Sequence, residues 1–105
     1  MSWLYLVLAG LMEIGWPVGL KLSQSPGKAL YGICIAVFFM SISGFLLFLA
    51  QKNIPIGTAY AIWTGLGAAG TFIFGVMVYG DPSSVMRYMG VALILLGAIT
   101  LKLAS

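Results

Sequence analysis

Residues 54–79 read IPIGTAYAIWTGLGAAGTFIFGVMVY, an apolar run without a single charge. About 20 apolar residues cross the hydrocarbon of a bilayer as a helix, and this run exceeds that length, so it predicts a membrane span. Three more runs flank it on the N- and C-terminal sides. Ala29–Ala50 is likewise uncharged and long enough to span. Trp3–Leu20 is slightly shorter and is interrupted only by Glu13. Val85–Ala104 carries Arg87 and Lys102 near its ends, where long side chains snorkel to the interface. Transmembrane β-strands would alternate polar and apolar residues over about ten positions, and these runs do not alternate. Helices are the remaining spanning form.

The rest of the chain agrees. It has 105 residues, 62% of them hydrophobic and 7% charged, where a soluble domain carries about 25% charge. So few charges exclude a soluble enzyme, a nucleic-acid binder and a disordered tail. The predicted fold is an all-α membrane protein, one domain over residues 1–105, with four transmembrane helices at about 3–20, 29–50, 54–79 and 85–104. The links are too short to cross a bilayer, so neighbouring spans run antiparallel. Asn53 before Pro55, and Asp81 before Pro82, read as caps of the third and fourth helices.

Composition also limits the chemistry. There is no His, and Cys34 is the single Cys. No metal site, cofactor site or intrachain disulfide is expected, nor an imidazole base, and hence no enzyme. A cleavable signal peptide fits poorly, because no Lys or Arg precedes the first apolar run and Glu13 interrupts it. The five basic residues are scattered, which is no nucleic-acid signal.

Charge says little about orientation. Lys52 and Lys102 fall on one side, and Lys21, Lys28 and Arg87 on the other. The positive-inside rule needs an excess, and here the sides are nearly balanced. A chain of this kind inserts both ways up. Two copies in opposite orientation would pair as an antiparallel homodimer, an inverted repeat suited to alternating access. Gly90 and Gly97, seven apart on the fourth span, offer a small-residue face for that pairing. Packing within one copy is the alternative use of the same face.

Glu13 is the candidate site. It lies near the middle of the first span, where a carboxylate costs roughly 2.5–3.5 kcal/mol or more. No Lys or Arg lies at that depth to neutralise it. Removal from water penalises the charged form. The counter-ion must come from outside, as a proton or a cationic substrate, and their competition is a minimal antiport mechanism. Leu6, Ala9, Gly10, Trp16 and Leu20 share its helix face. Gly10 leaves room beside the carboxylate, and Trp16 offers a flat π surface to a cation. Pro17 removes the N–H that would bond the Glu13 carbonyl. On the third span Gly57, Tyr60, Trp63, Gly67 and Gly70 follow one another at helical spacing, and Tyr60 and Trp63 could wall the site. Ser41 and Ser43 lie about 200° apart on the second span, so only one can face Glu13 well.

The central acid, four spans and the stretch Pro55-Ile-Gly-Thr-Ala-Tyr60-Ala-Ile-Trp63-Thr-Gly-Leu-Gly67 resemble the small multidrug resistance transporters. Gly90-Val-Ala-Leu-Ile-Leu-Leu-Gly97 resembles the dimerisation motif of that family. The resemblance covers the whole chain and implies a dual-topology antiparallel homodimer in the inner membrane that exports cations against protons. Trp16 and Trp63-Thr64-Gly65-Leu66-Gly67 resemble the guanidinium exporters, whereas quaternary-ammonium multidrug exporters tend to carry a small residue at the first position and Ser after the third-span Trp. By this resemblance Glu13 binds guanidinium or protons, Ser43 positions the central glutamates, and Trp16, Tyr60 and Trp63 line the site, with Gly10 and Gly57 as its small residues. Gly15, Pro17, Phe72 and Phe74 depart from the guanidinium subtype. Export of quaternary ammonium or other lipophilic cations is the alternative.

Overall fold

A computed structural model describes residues 1–104, and every regular element among them is an α-helix. α1 (Ser2–Glu13) and α2 (Gly15–Ser23) form the first span. α3 (Ala29–Ala50), α4 (Ile56–Val78) and α5 (Val85–Ala104) are the second, third and fourth. At a rise of about 1.5 Å per residue each span reaches roughly 30 Å or more, enough for a hydrocarbon core of about 30 Å. Large apolar side chains such as Phe38, Phe45, Met77 and Leu103 are exposed, as lipid-facing surface requires.

The first span is interrupted directly after Glu13. Pro17 gives no N–H to the Glu13 carbonyl, and its ring crowds that oxygen. Ile14 N–H instead donates to the Leu11 carbonyl, three residues back, at 3.3 Å. Ile14 keeps helical dihedrals (φ −63°, ψ −34°), so the hydrogen-bond ladder is broken while the backbone continues.

Two turns differ from expectation. Asn53 does not cap α4; its Nδ2 donates to Ser2 Oγ at 2.9 Å. Proline biases the residue before it away from helix, so α4 starts after Pro55, whose φ −54° and ψ 141° are themselves non-helical. Asp81 does not cap α5 either. Ser84 Oγ accepts from Arg87 N–H at 3.2 Å, the usual N-cap geometry. Asp81 belongs to the end of α4. Gly80 takes a left-handed φ of 66°, and Asp81 N–H folds back to the Gly75 carbonyl at 3.1 Å. That closure reaches six residues back, one more than a Schellman turn, and the glycine permits the left-handed reversal without Cβ strain.

α1 packs on α3 and α4, α2 packs mainly on α3, and α5 packs mainly on α4, with Lys102 reaching over the Trp3 ring of α1. The α2–α3 contact is backbone to backbone. A Cβ on Gly19 would lie 2.6 Å from Ala36 N, and one on Gly32 would collide with Ser23 N. The apolar core is Leu6, Ala9, Ala50, Ile54, Ala59, Ile62 and Trp63, where α1, α3 and α4 meet. One chain measures 45 × 34 × 17 Å. A single copy is therefore a flattened bundle.

Candidate functional site

Glu13 is the last residue of α1, at the break that Pro17 causes. It packs against α4 at Gly67, where any side chain would collide with the Glu13 Cγ. Its Oε1 is buried and has no hydrogen-bond partner. Trp16, from the first turn of α2, stands beside the carboxyl.

A cavity of about 400 Å³ opens over this pair. α4 supplies one wall through Thr64, Gly67, Ala68, Thr71 and Phe72, and Pro17 and Asp81 complete it. The α4 residues recur at three- and four-residue intervals and so share one helix face. Both acids of the chain line the cavity, and none of its lining residues is a Lys or Arg. Acceptors outnumber donors, with an aromatic plane at hand. Such a chamber suits a cation that carries N–H donors.

Ser43 rather than Ser41 faces inward. It is fully buried, its Oγ donates to the Ala9 carbonyl at 2.8 Å, and it accepts from Trp63 Nε1–H at 2.8 Å. Ser41 Oγ returns to its own helix, donating to the Val37 carbonyl. Ser43 thus ties α1, α3 and α4 together one turn before Glu13. Ser43→Ala leaves the Trp63 N–H buried without an acceptor, at a cost of about 1–3 kcal/mol. Thermal unfolding in detergent should show a lower midpoint for this variant; an unchanged one would contradict the role.

The other expected residues lie elsewhere. Tyr60 is 56% exposed, with its ring centroid 5.4 Å from that of Trp63, and it does not line the Glu13 cavity of its own chain. Trp63 is buried and bound to Ser43 rather than to the cavity. Gly10 leaves no free room: Leu66 fills it, with Leu66 Cβ 2.7 Å from where a Gly10 Cβ would be. Gly57, Gly90 and Gly97 have nothing within 4 Å of their Cβ positions. Thr64, Thr71 and Asp81 line the cavity without having been expected there. The spacing Thr64–Gly67–Ala68–Thr71 was a usable signal for the first two.

The profile of the Small Multidrug Resistance protein family matches residues 1–94. Proteins named guanidinium exporter from Yersinia pseudotuberculosis serotype I (strain IP32953) and Proteus vulgaris are each 48% identical over 105 residues, which is 100% of this chain. The first of these is itself covered over 100% of its length. One from Escherichia coli (strain K12) is 46% identical over 105 residues, 100% of this chain and 99% of its own. Four apolar spans, an acid-lined cavity between the first and third, and likeness along the full length lead to one assignment: the chain is a multi-pass membrane protein of the small multidrug resistance family of transporters.

Proposed function

We propose that this chain exports guanidinium, and small substituted guanidinium ions, across the inner membrane in exchange for protons, with Glu13 binding the two in turn. The observation that carries this reading is the unpartnered Glu13 Oε1 in a cavity lined by Trp16 and two threonines and by no basic residue. Guanidinium is planar and rich in N–H donors, which a carboxylate accepts in a bidentate fork. Its flat faces can stack on an indole. A proton satisfies the same carboxylate, so the two ligands exclude each other. The full-length relatives named guanidinium exporter support the substrate.

The working unit in this reading is an antiparallel homodimer, and dual-topology homodimers are the architecture of the family. Three features of one copy agree. One copy is flattened, 17 Å in its least dimension. α5 packs mainly on α4, and nothing lies within 4 Å of the Cβ positions of its Gly90 and Gly97. Tyr60 and Gly57 lie on the surface, available to line the site of a second copy. The second copy then brings a second Glu13 to the chamber, and the dimer rocks between two equivalent states.

One observation favours the alternative, export of lipophilic cations. Phe72 adds an apolar wall to the cavity and packs edge-on against Tyr88, with centroids 5.7 Å apart. Purified protein in liposomes on a solid-supported membrane separates the two. Guanidinium should evoke transport currents at a pH gradient and tetraalkylammonium ions should not. Currents with tetraalkylammonium alone would replace the proposal by the alternative.

A further inference from the structure

The chain contains two acids, and both line one cavity. Glu13 lies at the inner end. Asp81 is exposed, in the turn that follows α4. A second pocket of about 190 Å³ adjoins the first and shares Pro17, Thr71 and Asp81 with it. These three residues therefore stand at the junction between the chamber and the outer pocket.

Asp81 is held there by the fold. The left-handed Gly80 and the Asp81 N–H bond to the Gly75 carbonyl turn the chain back over α4. The carboxylate rests on Gly75, where a Cβ would collide with Oδ2. One turn earlier on α4 stands Thr71. Its Oγ1 is buried and makes no hydrogen bond in the structure, although a hydroxyl next to a backbone carbonyl usually finds a partner. The basic residue on this wall, Lys21, has its Nζ 5.9 Å from the Tyr79 ring centroid. Glu13 packs at Gly67, one turn further from Asp81 along α4 than Thr71, and Thr64 lies one turn beyond it.

We propose that Asp81 and Thr71 form an outer cation subsite, at which a planar cation bearing N–H donors docks before it passes to Glu13. The subsite rests on the transport reading given above. Asp81 supplies the attracting charge at the mouth. Thr71 accepts a hydrogen bond from the cation as it leaves Asp81, so that the donors are not stripped of all partners at once. A negative charge at the mouth of a low-dielectric cleft raises the local cation concentration and the rate of capture. It does not alter the exchange step at Glu13. The subsite should therefore govern half-saturation and leave the maximal rate alone.

The test uses the full chain in liposomes, with initial guanidinium currents measured over a concentration series at low and high salt. The unsubstituted protein comes first. If it gives no guanidinium current, the transport reading fails and takes the subsite with it. If it does, the variants test the subsite alone. Asp81→Asn should raise the half-saturating guanidinium concentration about tenfold at low salt, with the saturating current unchanged. The difference should shrink at high salt, where exposed charges are screened. Asp81→Glu should restore the original value, and Thr71→Val should raise half-saturation in the same direction. Unchanged half-saturation in Asp81→Asn would overturn the proposal. Equal loss of saturating current in Asp81→Asn and Asp81→Glu would overturn it too, because a structural role predicts that and a charge at the mouth does not.

Discussion

Glu13→Gln is expected to abolish the proton-driven guanidinium transport proposed above and to leave the chain folded. The amide keeps the shape of the side chain, including the Cγ that packs on Gly67. It retains a carbonyl acceptor but cannot take up and release a proton. Its cavity has no Lys or Arg whose pairing would be lost. A charged carboxylate in mid-membrane costs roughly 2.5–3.5 kcal/mol or more, and a neutral amide avoids that cost. The variant should therefore unfold at the same temperature as the parent or a higher one. Its guanidinium uptake, driven by a proton gradient in liposomes, should fall to the level of protein-free vesicles. Asp81 remains on the cavity wall in this variant, so an outer negative charge alone is not expected to sustain exchange. Uptake at the parental rate would refute the role of Glu13.

The four spans were legible because hydropathy over about 20 residues is a bulk property that no single contact overrides. Glu13 was legible for the opposite reason: a lone acid stands out against an apolar run. Ser43 was not separable from Ser41, because both suit a helix in lipid and only the approach of Ala9 and Trp63 distinguishes them. Asp81 misled because an acid before proline resembles a helix cap. Gly80 decided otherwise, by ending α4 in a left-handed turn that draws Asp81 backward, while Ser84 took the cap. Gly10 carries a different ambiguity. A small residue beside the carboxylate can admit either a ligand or a neighbouring helix, and Leu66 occupies the gap. Gly57, Tyr60, Gly90 and Gly97 do not meet the Glu13 cavity of their own chain, as residues facing a second copy would not. The small residues that join α2 to α3 follow a helical spacing. Gly15 and Gly19 are four apart on one helix, as are Gly32 and Ala36 on the other.

Gly19→Leu should separate the first span from the second. Gly19 is buried, and a Cβ there would meet Ala36 N at 2.6 Å, the Gly32 carbonyl oxygen at 2.8 Å and Ala36 Cα at 2.9 Å. All three are backbone atoms, which cannot rotate aside as the end of a side chain can. Across the same contact Gly32 meets the backbone of Ser23, so neither helix can yield by sliding toward the other's glycine. In lipid no hydrophobic force draws helices together, and close backbone packing at small residues supplies most of the attraction. Overpacking usually costs about 1–3 kcal/mol, and an obstacle made of backbone belongs at the upper end. For a chain of this size about 3 kcal/mol lowers an unfolding midpoint by roughly 10 °C or more, taking soluble domains as a guide. The consequence reaches the site, because α2 carries Trp16 and Pro17 into the cavity wall. Gly44→Leu provides the comparison, since nothing lies within 4 Å of a Cβ at that exposed position. Its midpoint should stay at or above the parental value, because leucine favours helix over glycine by up to about 1 kcal/mol. Equal thermal stability of the two variants in mild detergent would mean that α2 and α3 do not meet backbone to backbone.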